Sequence, residues 1–185
     1  MSGKQWETLS SKIAYKNPFM KIREDSVVRP NGKVAPFYVL DRFGPFSIII
    51  PLENNLTTYL VGQYRYSTQY YSWEFPMGGV IGLSPLAIAK QELKEETGFS
   101  AKKWQQLGKF QVSPGHSSQL GFVFLAQDLK EGDPEPEENE FLEIKKMPIQ
   151  KVDEMIKKQE ILDGPTIIAY HFLEQHLQIE TPGVG

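Results

Sequence analysis

Apolar positions fall into short alternating or continuous runs before residue 76, into a helical period near the middle of the chain, and into a mixture of the two afterwards. Runs rich in Val, Ile, Thr, Tyr and Phe, bounded by Gly, Pro and Asn, suit a pleated, half-buried backbone. They predict strands over 19–28, 34–42, 46–52, 56–65 and 70–75, separated by Arg29-Pro30-Asn31-Gly32, Gly44-Pro45 and Asn54-Asn55. Residues 1–16 are polar, and no element is predicted there.

The helical period follows. Ser84 offers an N-cap oxygen and Pro85 suits the first helical position. Leu86, Ala89 and Leu93 repeat at helical spacing, and Gly98 is placed to close the helix in a left-handed turn. Strands are expected again over 104–112, 121–127 and 141–146, and helices over 152–158 and 165–177. Residues 130–140, rich in Glu, Asp and Pro, read as a solvated acidic loop, and 178–185 as a tail. Strands that precede, separate and follow helices predict an α/β (α+β) fold, a mixed sheet with helices packed on it.

Composition narrows the chemistry. The 185 residues include no cysteine, which removes disulfides, thiolate catalysis and Cys-containing zinc sites and fits a cytoplasmic protein. A net charge of -3 gives no global attraction to nucleic acid or anionic membrane, so the expected partner is a small molecule. The longest apolar runs are strand-sized, too short to span a bilayer.

The central helix carries Glu92, Glu95 and Glu96. Spacings of three and four residues put Glu92 on one face with the other two, and a like-charge pair at i, i+4 costs an isolated helix roughly 0.2–0.5 kcal/mol. The cluster also sits at the negative end of the helix dipole, at a cost of about 0.3–1 kcal/mol per carboxylate. A divalent cation would reverse both penalties, and magnesium takes hard oxygen ligands such as carboxylate and phosphate. A solvated, Glu-rich helix end is the plainer alternative.

The stretch from Gly78 to Phe99, GGVIGLSPLAIAKQELKEETGF, resembles the Nudix box, G-x5-E-x7-R-E-U-x-E-E-x-G-U. Gly78, Glu92, Leu93, Glu95, Glu96, Gly98 and Phe99 match it. Gln63-Tyr64-Arg65, Trp73-Glu74-Phe75-Pro76-Met77-Gly78-Gly79, Ser113-Pro114-Gly115 and Ile161-Leu162-Asp163 are similar to the ADP-ribose pyrophosphatase branch of that family. The resemblance implies an α/β/α sandwich around a mixed sheet, with residues 46–177 as the hydrolase domain and the strands of 1–45 completing a homodimer. It implies hydrolysis of the diphosphate bond of a nucleoside diphosphate sugar, ADP-ribose favoured, with Mg2+ as cofactor and Mn2+ as a substitute. Glu92, Glu95, Glu96 and the Met77 carbonyl would hold the metal, the three glutamates would be catalytic, and Arg65, Glu74, Gly78 and Gly79 would bind substrate.

Three departures bear on activity. The loop after Gly78 is one residue shorter than the motif, Leu83 falls nearest the first motif glutamate, and Gln91 replaces the arginine that braces the others. Gln119 stands near the acid expected after Ser113-Pro114-Gly115 and cannot act as a base, which leaves His116, Glu138 and Glu140, with Glu137 beside them, as base candidates. These departures keep two alternatives open: a domain that binds nucleotide without cleaving it, and a pyrophosphatase of dinucleoside polyphosphates or capped RNA. Tyr64, Tyr66, Tyr70, Tyr71 and Trp73 read mainly as core or dimer contacts, with one available to stack on a nucleobase.

Overall fold

The computed structural model describes residues 5–42, 44–134 and 142–177. Seven strands, a helix, three strands and two helices follow one another along them, and the chain divides into two compact units: residues 1–45 with 111–120, and residues 46–110 with 121–185.

The N-terminal unit is a three-stranded antiparallel sheet of β1 (Glu7–Lys16), β2 (Met20–Val28) and β3 (Val34–Arg42). β1 lies ahead of the first strand named from the sequence, which starts at residue 19. This N-terminal strand is exposed along its length and carries two register shifts, so it shows neither a buried face nor a clean alternation. Residues 111–120 join this unit through a turn in which the Leu40 N–H donates to the His116 carbonyl at 2.7 Å.

The C-terminal unit is built on a four-stranded mixed sheet of order β7-β4-β9-β8: β7 (Met77–Gly78), β4 (Phe46–Pro51), β9 (Leu120–Lys130) and β8 (Ser100–Gln111). β4 runs parallel to β9 and antiparallel to β7. A second sheet pairs β10 (Glu143–Pro148), β5 (Thr57–Arg65) and β6 (Tyr70–Glu74). Side chains alternate across a strand, and β4 and β9 use both faces. Ile48, Ile50, Val123 and Leu125 point into one core with residues of α2 (Ile149–Lys157) and α3 (Gly164–Leu177). Ile49, Phe124 and Ala126 point into another with Ala89 and Leu93 of α1 (Pro85–Thr97). Helices therefore cover both faces, as the α/β/α expectation requires.

Helix α1 forms as its sequence dictates. The Ser84 hydroxyl accepts from the Ala87 N–H at 3.3 Å, Pro85 opens the first turn, and Gly98 closes it at φ 75°. One detail differs: Leu86 is exposed, and Ile88 joins Ala89 and Leu93 on the buried face. Among the described residues no helix is long and apolar enough to cross a membrane.

Candidate functional site

Strand β7 is only two residues long, yet it orders the site. Ile48 pairs with Met77 and Ser47 with Gly78, which holds this backbone at the edge of the mixed sheet. Helix α1 returns across the same edge, anchored where the Ser47 hydroxyl donates to the Pro85 carbonyl at 2.7 Å. Its last turns then meet β7. The Met77 N–H donates to Glu96 Oε2 at 3.0 Å, and Glu96 is only 4% exposed. Gly78 faces Glu92 so closely that a Cβ would overlap the carboxylate. Any side chain here would have to push that carboxylate aside. Gly79 is exposed.

Glu95 is turned to a different partner: Gln91 Nε2 donates to its Oε1 at 2.9 Å, one turn earlier. The residue that departs from the motif thus still orients a glutamate, through a neutral hydrogen bond. Leu83 is exposed.

A second group surrounds β6. Arg65 Nε donates to Glu74 Oε1 at 2.8 Å, its Nη2 pairs with Oε2, and Glu74 is 1% exposed. A planar guanidinium suits this bidentate pairing, and the Glu74 bond raises the Arg65 pKa further. The fields of Asp163 and Glu96 add to the rise, so both acids lie near Arg65. Burial, then the Glu74 charge, pushes the Asp163 carboxyl above the usual carboxylate range. The site reading from sequence did not include Asp163. Its signal was the acid at the N-cap position just before the helix of 165–177, where the Thr166 N–H donates to Asp163 Oδ2 at 2.8 Å.

The remaining candidates fall in the N-terminal unit or outside the described residues. His116 is an exposed turn residue of the N-terminal unit, held by its backbone. Glu137, Glu138 and Glu140 lie outside the described residues. Of the aromatics, Trp73 is half-buried against the core, while Tyr64, Tyr66 and Tyr71 are exposed, with Tyr71 edge-on to Trp73.

The donor set suits a hard divalent cation. Glu92 and Glu96 both flank the Met77–Gly78 backbone, and carboxylate and peptide oxygens are what magnesium prefers. Among the described residues no group of three acidic or histidine side chains could hold a metal by itself. The residues thus fit a cation that completes its shell with water and substrate phosphate.

Residues 6–40 match the model of the nucleoside diphosphate sugar hydrolase N-terminal domain, and residues 45–169 match the NUDIX domain. An ADP-ribose pyrophosphatase of Mycobacterium tuberculosis is 34% identical over 76% of this chain and 69% of its own. An ADP-ribose pyrophosphatase of Bacillus subtilis is 26% identical over 94% of this chain and 95% of its own. A crystal structure of an ADP compounds hydrolase superposes with a TM-score of 0.86 at 21% identity, covering 96% of this chain and 97% of that one.

Proposed function

The chain belongs to the Nudix family of hydrolases, and from that premise we propose that it splits the diphosphate bond of a nucleoside diphosphate sugar, ADP-ribose first among them. The observation that carries this reading is the meeting of Glu92 and Glu96 with the Met77–Gly78 backbone. Enzymes of this family use a divalent metal, and magnesium is our choice of ion.

Glu92, Glu96 and the Met77 carbonyl would hold the metal, and Glu95, steadied by Gln91, would assist them. When bound, the ion neutralises charge on the diphosphate oxygens and lowers the pKa of the attacking water. Arg65, fixed by Glu74 through Nε and Nη2, would meet a substrate anion with its remaining N–H groups, and Gly78 and Gly79 leave room for the substrate to approach. Water adds to one phosphorus and the other phosphate leaves, so ADP-ribose yields AMP and ribose 5-phosphate. His116, Glu138 and Glu140 are the base candidates. We assign residues 1–45 to a homodimer contact, supported by Leu9, Ile13 and Tyr15, which lie about half exposed on β1. The lack of cysteine suits the cytoplasm.

The test is AMP release from ADP-ribose with magnesium, alongside Glu96→Gln. The expected result is magnesium-dependent release that falls roughly 100- to 1000-fold in the variant. A second reading, nucleotide binding without cleavage, is favoured by the uncharged Gln91 in place of the motif arginine. Tight binding with no product from ADP-ribose, GDP-mannose or other nucleotide sugars would establish it instead.

A further inference from the structure

Three consecutive residues after β6, the last of them the first of β7, are each tied to a different element. The Pro76 carbonyl accepts from the Ile49 N–H of β4 at 2.8 Å, and the Met77 N–H donates to Glu96 of α1. The Phe75 N–H has no strand partner in the β5–β6 register, which ends at Glu74. It donates instead to Thr166 Oγ1 of α3 at 3.1 Å. Phe75 and Thr166 are both fully buried. A buried N–H without a partner costs about 1–3 kcal/mol, so this single hydroxyl matters.

Thr166 is itself held at the start of its helix. Asp163 Oδ2 in turn accepts the Thr166 N–H at 2.8 Å. The relay therefore runs from Asp163 through Thr166 to the peptide that separates Glu74 from Met77.

We propose that Thr166 and Asp163 are positioning residues for the metal-binding backbone: they fix the 75–77 segment so that Met77 meets Glu96 in register. This rests on the metal reading given above. Neither side chain is a ligand, and the effect passes through the Phe75 peptide. Removing the α3 tether frees one end of the segment while β4 and α1 still hold the other.

The variants are Thr166→Val, which keeps the shape and removes the hydroxyl, Thr166→Ser, which restores it, and Asp163→Asn. Binding of Mn2+ is followed by the electron paramagnetic resonance of the free ion, with folding checked by circular dichroism. The expected result is about tenfold weaker Mn2+ binding in Thr166→Val, a smaller loss in Asp163→Asn, and affinity within about twofold of wild type in Thr166→Ser. A role in stability alone would lower the folded fraction without changing the affinity of the folded molecules. Wild-type affinity in Thr166→Val overturns the inference and leaves the metal reading standing. If that variant does not fold, unchanged affinity in Asp163→Asn overturns it equally. A wild type that binds no Mn2+ overturns the metal reading itself, and this inference with it.

Discussion

Two groups of buried and half-buried carboxylates in this molecule are handled in different ways. In the N-terminal unit, Asp25 of β2 and Asp41 of β3 share Arg23, whose Nε meets Asp25 at 2.9 Å and whose Nη1 meets Asp41 at 3.2 Å. Lys21 adds a second cation 3.6 Å from Asp41, and the hydroxyls of Ser11 and Ser118 fill further acceptor positions. Hydrogen bonds from Arg23 and Ser11 hold Asp25 below the usual carboxylate range. In the C-terminal unit, Glu74, Glu92, Glu96 and Asp163 gather around the 74–78 segment. Arg65 engages Glu74, while Asp163 and Glu95 take hydrogen bonds from the neutral Thr166 and Gln91. Two acids with two cations make a finished structural element. A group that gathers four acids around one backbone segment, with Asp163 among them on a neutral donor, suits a further cation.

The sharpest way to break this contrast is Gly78→Ala. The added Cβ displaces the Glu92 carboxylate, the flexible end of a side chain, so the fold should persist. Mn2+ affinity should fall by roughly 10- to 100-fold. Unaltered affinity would mean that Glu92 does not bind the ion from this position.

A paired exchange of the two arginines comes next. Lysine cannot reproduce a bidentate fork, so Arg65→Lys leaves the buried Glu74 short of a donor and should destabilise by about 1–3 kcal/mol. It should also lower kcat/KM for ADP-ribose by about tenfold. Arg23→Lys should lower the melting temperature but keep Mn2+ affinity within about twofold of wild type. Equal loss of Mn2+ affinity in both variants would erase the functional distinction between the two groups.

The smallest effects are in the pH dependence of Asp25→Asn and Asp163→Asn. The lowered Asp25 value means that its stabilisation is present above the unfolded value of about 3.9 and is lost as pH falls through the folded value. The deficit of Asp25→Asn should shrink on acidification. The raised Asp163 value means that its charge opposes folding near neutrality and ceases to do so as pH falls through the folded value. The deficit of Asp163→Asn should grow on acidification. Calorimetry between pH 3.5 and 7 checks both, and slopes of the same sign would contradict the assignment.

What was legible in the sequence follows from which residues carry a local signal. Ser84, Pro85 and Gly98 act within one turn of themselves, and α1 ends where they say. Glu92 and Glu96 declare a common face by their spacing. The Arg65–Glu74 pair was legible only as two separate candidates, because register between β5 and β6 decides whether they touch. Thr166 was invisible as a site residue because its partner, Phe75, lies 91 residues away. β1 was missed because a strand with no buried side chain gives no alternation to read, and β8 begins at Ser100, earlier than the predicted 104, because its first turn of sequence is polar.

The two ends of the motif differ in what surrounds their glycines, and this sets how the chain tolerates mutation. At Gly98 a Cβ would strike main-chain atoms of Gly132, Asp133 and Pro134, in a conformation that side chains already disfavour. Backbone cannot step aside as a side chain can. A saturation library should therefore lose soluble protein at position 98 and keep it at position 78, where the obstacle is the Glu92 side chain. One motif would then show two kinds of intolerance, against folding at one end and against function at the other.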